Sequence, residues 1–229
     1  MMRGGIILQA RTGSQRLRHK VLEPIAGRSL AGHCLRRLAA SGVAPVILAT
    51  TTLADDDALA EAGADAGVPV FRGAPEDVLD RFARCAAAFE LDVVIRATAD
   101  NPAVDIEAPV RVLDAMARLG VDYVREDDLP YGAGVEGITR EALDCTALRA
   151  RDAFDREHVT TFVRRHPDLF RQTTLTVPAD LARPDVRLTV DTPDDLHQMR
   201  ELYSMTTTDL PLLVSFIDAW DRLARRTAA

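Results

Sequence analysis

Along most of these 229 residues, short apolar runs rich in β-branched side chains alternate with amphipathic stretches, and this rhythm leaves few folds open. GIILQA (5–10), PVILATT (45–51), VPVF (68–71), LDVVIRAT (91–98) and VDYV (121–124) have strand character. Between them, LAGHCLRRLAASG (30–42), DDALAEAGADAG (56–67), EDVLDRFARCAAAFE (76–90) and IEAPVRVLDAMARLG (106–120) carry apolar residues at helical spacing. Strands that are apolar on both faces and separated by helices belong in a sheet covered on both sides. The expected fold is α/β, with three α/β/α layers around a mainly parallel sheet. Length and a hydrophobic content of 47% support one domain over residues 1–229.

The rhythm falters after residue 126. DDLPYGAGVEGIT (127–139) reads as a loop entering a short strand, and REALDCTALRARDAF (140–154) and DREHVTTFVRRH (155–166) read as helices. RQTTLTV (171–177) and VRLTV (186–190) are expected strands, and TPDDLHQMRELYS (192–204) and LPLLVSFIDAWDRLARR (210–226) are expected helices. In the first of these, Thr192 suits the N-cap, Pro193 the first helical position and Asp195 the capping-box acid. Asp191 is left without a structural task.

Charge is distributed unevenly. The total is -7, yet residues 1–40 hold Arg3, Arg11, Arg16, Arg18, Lys20, Arg28, Arg36 and Arg37 against Glu23 alone, so this part carries +7 and the remainder -14. Lys20 is the only lysine. A small basic pole on an acidic body suits a small polyanion and disfavours nucleic acid or a membrane surface as partner. Cys34, Cys85 and Cys145 fall in helical patterns without a CxxC pair and read as buried thiols of a reducing compartment. The short apolar start fits no signal peptide, and no run reaches bilayer length, so a cytoplasmic location is expected.

Open parallel sheets bind ligands outside the carboxyl ends of their strands, where loops and helix N-termini converge. The basic loop follows GIILQA, ADNP follows LDVVIRAT, and Asp191 ends VRLTV, so all three share that edge. In ARTGSQRLRHK, Gly13 permits tight turning, Ser14 adds a hydroxyl and a main-chain N–H, and Arg11, Arg16 and Lys20 spread charge as a triphosphate requires. A solvated basic turn is the alternative. The loop is no GxxxxGK[ST], and no GxGxxG follows the first strand. Asp100 and Asp191 opposite such a loop make a reasonable Mg²⁺ pair. Their ordinary readings, a turn aspartate and a support for the following helix, stay open, and Asp105 reads as a helix cap.

With ARTGSQRLRHKVLEPIAG, FRGAPEDVLDRF, RATADNPAVD, GVEGIT, DREHVT and RLTVDTPDDL in this order, the chain resembles the cytidylyltransferase family of spore-coat polysaccharide biosynthesis protein F. That family is related to the CMP-sialate and CMP-KDO synthetases. Where it usually has Pro-Gly before the lysine, Arg18 and His19 stand here. The resemblance implies a nucleotide-diphosphosugar transferase-like (GT-A, Rossmann-like) fold that uses CTP and Mg²⁺, forms a CMP-linked product and releases pyrophosphate. The acceptor it implies is a small anion: an acidic sugar, sugar phosphate or phosphonate.

Carried onto this chain, Arg11, Ser14, Arg16 and Lys20 would hold the β and γ phosphates, with Arg11, Arg16 and Lys20 catalytic. Ala10, Gly13 and Thr98 would lie beside the nucleotide, and Asp100 and Asp191 would bind the metal. Thr50, Arg72, Gly73 and Asp77 are expected to meet base and ribose, although Asp77 also suits a helix start. Asn101, Glu136, Arg156, Glu157 and His158 are expected at the acceptor, the last three also fitting an ordinary helix surface. Residues 127–170 would form the acceptor-binding or homodimer segment, and His158 is the one nearby general-base candidate.

Three other readings compete. A nucleotidyltransferase using UTP or GTP would share the cradle but usually opens with a double glycine that QARTGSQR lacks. A related glycosyltransferase would need a DxD, which Asp55 and Asp57 satisfy formally, helix N-capping being the simpler explanation. An inactive nucleotide-binding protein would have no use for both acids and the lysine.

Overall fold

The computed structural model describes residues 2–14 and 16–227. Strand β1 (Gly4–Gln9) leads through the basic loop and a 3-10 turn (Lys20–Leu22) to a small hairpin, β2 (Pro24–Ile25) and β3 (Arg28–Ser29). Then follow α1 (Leu30–Ala40), β4 (Val46–Thr51), α2 (Asp57–Asp65), β5 (Val70–Gly73), α3 (Val78–Ala88), β6 (Val93–Thr98) and α4 (Ala108–Leu119). The second half contains β7 (Tyr123–Asp127), β8 (Glu136–Thr139), α5 (Arg140–Arg149), α6 (Ala153–His158), α7 (Thr161–Arg165), β9 (Gln172–Thr176), α8 (Pro193–Ser204) and α9 (Leu213–Thr227).

Seven strands form one sheet in the order β5-β4-β1-β6-β8-β7-β9. The first four are mutually parallel, β8 runs antiparallel to both its neighbours, and β9 is parallel to β7. Strand alternation explains the layers: Ile6 and Leu8 enter a core with Leu35 of α1, Met116 of α4, Met199 of α8 and Phe216 of α9. Ile7, between them, points to the other face and packs with Phe82 of α3, Leu143 of α5 and Val163 of α7. The mainly parallel three-layer sheet anticipated from the alternation is therefore present. No helix among the described residues is long and apolar enough to cross a membrane.

Local sequence sets several boundaries. Ser29 caps α1 by accepting from Gly32 N at 3.1 Å, and Asp77 caps α3 by accepting from Asp80 N at 2.9 Å. Thr192 and Asp195 form the expected capping box, with Pro193 in the first turn of α8.

Elsewhere the expectations need correction. VRLTV is no strand: its ladder reduces to one bridge between Tyr131 and Arg187, flanked by Val190 N donating to Asp100 O at 2.8 Å. Val186, Leu188 and Val190 are buried, so the period of two there reports burial without a partner strand. The two expected helices over 140–166 are three. Asp152 caps a fresh start at α6, and Val159, at φ 56°, breaks the chain before α7. Cys34 and Cys85 are buried, and burial pushes Cys85 up to about 12, but Cys145 is only half-buried.

Candidate functional site

A concavity of about 910 Å³ opens along the carboxyl edge of β1 and β6, the edge at which open α/β sheets bind ligands. That volume lies near the top of the range for small-molecule sites, enough for a nucleotide with a second substrate.

One wall is the loop after β1. Its course is fixed by Asp56, a buried acid in the turn before α2, which accepts from Thr12 N and Thr12 Oγ1, both at 2.7 Å, and from Thr51 Oγ1. Burial pushes the Asp56 carboxyl up, but these hydrogen bonds outweigh it and hold it below its ordinary value. Asp55 and Asp57, the formal DxD, are exposed, and Asp56 makes no capping bond to α2; its partner is the phosphate-type loop. His19 takes the left-handed backbone, φ 54° and ψ 21°, at the place where the related family usually has glycine. A side chain in that conformation carries a steric cost of about 1 kcal/mol.

That turn delivers Lys20 to the sheet edge. Its Nζ donates to Val190 O at 2.8 Å and Asp191 Oδ1 at 2.9 Å, and lies 3.5 Å from Asp100 Oδ2. Asp100 Oδ1 accepts from Thr98 Oγ1 at 2.6 Å, and Thr98 Oγ1 also accepts from Asn101 Nδ2 at 2.8 Å. Asp191 further pairs with Arg16 at 3.1 Å and Arg187 at 3.0 Å, while Asp195 accepts from Asp191 N at 2.9 Å. Burial raises the Asp191 carboxyl, but Lys20, Arg16 and Arg187 outweigh it, so it stays ionised well below neutrality. Residues 20, 100 and 191 therefore meet at one point.

The opposite wall lies on the α3, α5 and α7 face. Glu136 accepts from Arg96 Nη1 at 2.5 Å, Thr160 Oγ1 at 2.9 Å and the Tyr123 hydroxyl. Burial favours its neutral form, yet Arg96 and these donors hold the carboxyl below its ordinary value. The break at Val159 turns Glu157, His158 and Thr160 into the cleft. Glu157 reaches across to Arg11 at 3.0 Å, and His158 lies against Phe154 with ring centroids 4.2 Å apart. Arg164 lines the cleft as an exposed cation with no ion-pair partner among the described residues.

Ala10, Arg11, Gly13, Ser14, Arg16, Lys20, Thr98, Asp100, Asn101, Glu136, Glu157, His158 and Asp191 thus line one cavity. Five expected residues do not. Thr50 is fully buried within β4. Arg72 donates to Thr51 O at 2.8 Å and Leu53 O at 2.7 Å and pairs with Asp57, stapling β5 to the turn after β4. Gly73 makes room for the stem of Arg81, whose Cγ would lie 2.9 Å from a Cβ placed there. Asp77 caps α3 and pairs with Arg156, whose Nη1 also donates to Ala147 O at 2.7 Å; together they clamp α6 to α3. Asp105 caps little of α4 and instead pairs with Arg111 at 2.6 Å.

Gln9, Arg81, Arg96, Tyr131, Thr160 and Arg164 line the cleft without having been anticipated. Two of them left a trace in the sequence: Arg96 interrupts an apolar strand, and Arg81 falls on the apolar stripe of α3. For the others no local signal exists.

A cationic loop facing two convergent carboxylates at the edge of a parallel sheet is the equipment of enzymes that act on nucleoside phosphates. The cytidylyltransferase family model matches residues 5–214, and the chain belongs to that family. It is 36% identical over 203 residues to the spore coat polysaccharide biosynthesis protein SpsF of Bacillus subtilis, covering 86% of this chain and 85% of that one. A cytidylyltransferase from Leptospira borgpetersenii superposes with a TM-score of 0.88 at 26% identity, covering 98% of this chain and 96% of that one. A CMP:2-keto-3-deoxy-manno-octonic acid synthetase complexed with CTP shares the fold, with a TM-score of 0.68 at 19% identity over 88% of this chain and 98% of that one.

Proposed function

We propose that the protein transfers CMP from CTP to a small anionic acceptor and releases pyrophosphate. The observation that carries this reading is the convergence of the Lys20 ammonium with the carboxylates of Asp100 and Asp191 at one end of a cleft roomy enough for two substrates. The CTP complex of the octonic acid synthetase and the kinship with SpsF support the choice of nucleotide and of a sugar-like acceptor.

Asp100 and Asp191 fit a hard divalent cation. They already surround one positive charge, and among the described residues no cluster of three or more His, Cys, Asp or Glu side chains forms a complete protein cage. Mg²⁺ suits such a sparse oxygen set because it fills its shell with phosphate and water. Held by these two carboxylates, it would supply neutralisation of charge on the phosphate oxygens.

The chain's own part is binding and positioning. Arg11 exchanges Glu157, and Lys20 exchanges its carboxylates, for oxygens of the β and γ phosphates, while Arg16 reaches the same charge from the loop. The acceptor oxygen attacks the α-phosphorus, the new O–P bond forms, and the bond to the β-phosphate oxygen breaks in line. An ionised phosphate or phosphonate needs no base; for a hydroxyl acceptor His158 takes the proton. The segment 127–170 contributes Glu136, Glu157, His158, Thr160 and Arg164 to the acceptor side, where the unpaired Arg164 meets the anionic group.

Pyrophosphate release across the four nucleoside triphosphates tests this reading, with acidic sugars, sugar phosphates and phosphonates as acceptors. Release is expected with CTP alone, only with an acceptor, and is expected to vanish with EDTA and return with Mg²⁺. Equal release with UTP or GTP would overturn it.

A further inference from the structure

Lys20 has a task before any phosphate arrives, set by the oxygens it already touches. An ammonium has three N–H donors, and three oxygens surround this one: Val190 O at 2.8 Å, Asp191 Oδ1 at 2.9 Å and Asp100 Oδ2 at 3.5 Å. Two of them belong to the carboxylates that fit a divalent cation. Lys20 and such a cation therefore compete for the same oxygens.

Asp191 is engaged on both of its oxygens. Oδ1 also pairs with Arg16 at 3.1 Å, and Oδ2 pairs with Arg187 at 3.0 Å. Arg187 reaches Asp195 as well, at 3.2 Å. In this cluster Lys20, Arg16 and Arg187 bring +3 and Asp100, Asp191 and Asp195 bring -3, so the net charge is zero. A divalent cation meets no net negative charge there and has to displace charge-assisted hydrogen bonds to enter. A triphosphate reverses the bias. Once it engages Lys20 and Arg16, the three acids are left with Arg187 alone and the cluster carries -2.

Arg111 shows the structural version of a cation between two acids. It pairs with Asp105 and Glu126, both at 2.6 Å, and these side chains are 5% and 1% exposed with no second cation among the described residues. That triad joins α4 to β7 and does not line the cleft. Lys20, Asp100 and Asp191 all line it. The cation differs too: of the 28 lysines and arginines, Lys20 alone is a lysine. Its compact charge on a flexible stem can stand in for a small cation and leave by side-chain rotation, a role for which a planar guanidinium fork is ill shaped.

We infer that Lys20, seconded by Arg16, bars divalent cations from Asp100 and Asp191 until a triphosphate draws both side chains onto its own oxygens. Metal then joins with the nucleotide and not before it. This rests on the CTP and metal reading above and adds an order of binding to it.

Mn²⁺, which suits the same oxygen ligands as Mg²⁺ and reports its own binding by spin resonance, tests the inference on the full chain. Without nucleotide, Lys20→Met is expected to bind Mn²⁺ roughly ten- to a hundredfold tighter than wild type, since the competing ammonium is gone. The gain is expected to vanish in Lys20→Met/Asp191→Asn. Adding CTP to wild type is expected to bring Mn²⁺ onto the protein, read as enhanced water-proton relaxation. Equal Mn²⁺ affinity of wild type and Lys20→Met, whether both bind or both fail to, would overturn the inference, as would a gain that survives Asp191→Asn. If Lys20→Met loses cooperative unfolding, Arg16→Ala decides in its place, because that side chain is 66% exposed: tighter Mn²⁺ binding supports the inference and an unchanged affinity overturns it. A wild type that gains no Mn²⁺ with CTP sinks the metal reading itself, whereas tight binding to wild type without nucleotide sinks only the barrier.

Discussion

Replacing Lys20 by Met removes one ammonium from between two carboxylates, and the consequences for rate and stability follow different laws. For the rate, loss of one contact in a preorganised polar site costs about 3–4 kcal/mol, or ~10² to 10³ in turnover. For stability, breaking a fully buried pair would cost about 3–5 kcal/mol. This pair is gentler: Asp191 keeps Arg16 and Arg187, and the Asp100 side chain is 32% exposed. The expected loss is therefore ~1–2 kcal/mol, or about 2–8 °C in Tm for a chain of this size.

Its pH dependence has a definite sign. Burial raises the Asp191 carboxyl, but Lys20 and its neighbours depress it further, so the folded pKa lies below the unfolded one. Such a group contributes stability that is present above the unfolded value, about 3.9, and lost as pH falls through the folded value. Lys20→Met weakens the depression, so its Tm deficit should be full at neutral pH and shrink at about pH 3.5. Scanning calorimetry at both pH values and pyrophosphate release at neutral pH provide the two readings. Turnover within about threefold of wild type, or a deficit as large in acid as at neutrality, would refute the reasoning.

Glu136→Gln leaves Arg96 buried without its counter-charge and should cost about 3 kcal/mol at neutral pH. Because the Glu136 carboxyl is held below its ordinary value, that deficit should fade as pH falls below about 4, and an unchanged thermal midpoint at neutrality would contradict it. Arg72→Ala should cost about 1 kcal/mol through lost bonds to Thr51 O and Leu53 O and leave CTP affinity within about twofold, as titration would show. A tenfold loss of affinity would return Arg72 to the nucleotide site. At the left-handed turn, His19→Gly should keep activity and full stability, whereas the β-branched His19→Val should lose about 1–2 kcal/mol and displace Lys20, lowering turnover. Equal thermal midpoints for the two variants would remove the turn from the explanation.

What the sequence determined by itself is what depends on neighbours along the chain. Continuous apolar runs set between stretches of 3.6-residue periodicity specified the strands and helices up to β6, because both faces of each strand had to be buried. Thr192, Pro193 and Asp195 announced the start of α8, since capping is completed within four residues. The basic loop and Asp100 were legible as chemistry because parallel topology sends the ends of β1 and β6 to one edge, where Asp191 joins them although its segment is no strand.

Tertiary structure decided what depends on distant partners. VRLTV shows strand periodicity but has Tyr131 and Asp100 beside it in place of a continuous strand, so burial without a ladder is its outcome. Arg72, Asp77 and Arg156 look like ligand groups in a linear reading and become staples once Thr51, Leu53, Asp57 and one another come within bonding distance. Arg81, Thr160 and Arg164 reach the cleft because α3 crosses the sheet and the chain breaks at Val159, a geometry written in packing and not in local spacing. Burial and charge pairing are properties of three-dimensional neighbourhoods, and they alone separated the side chains that face the cleft from those that hold its walls.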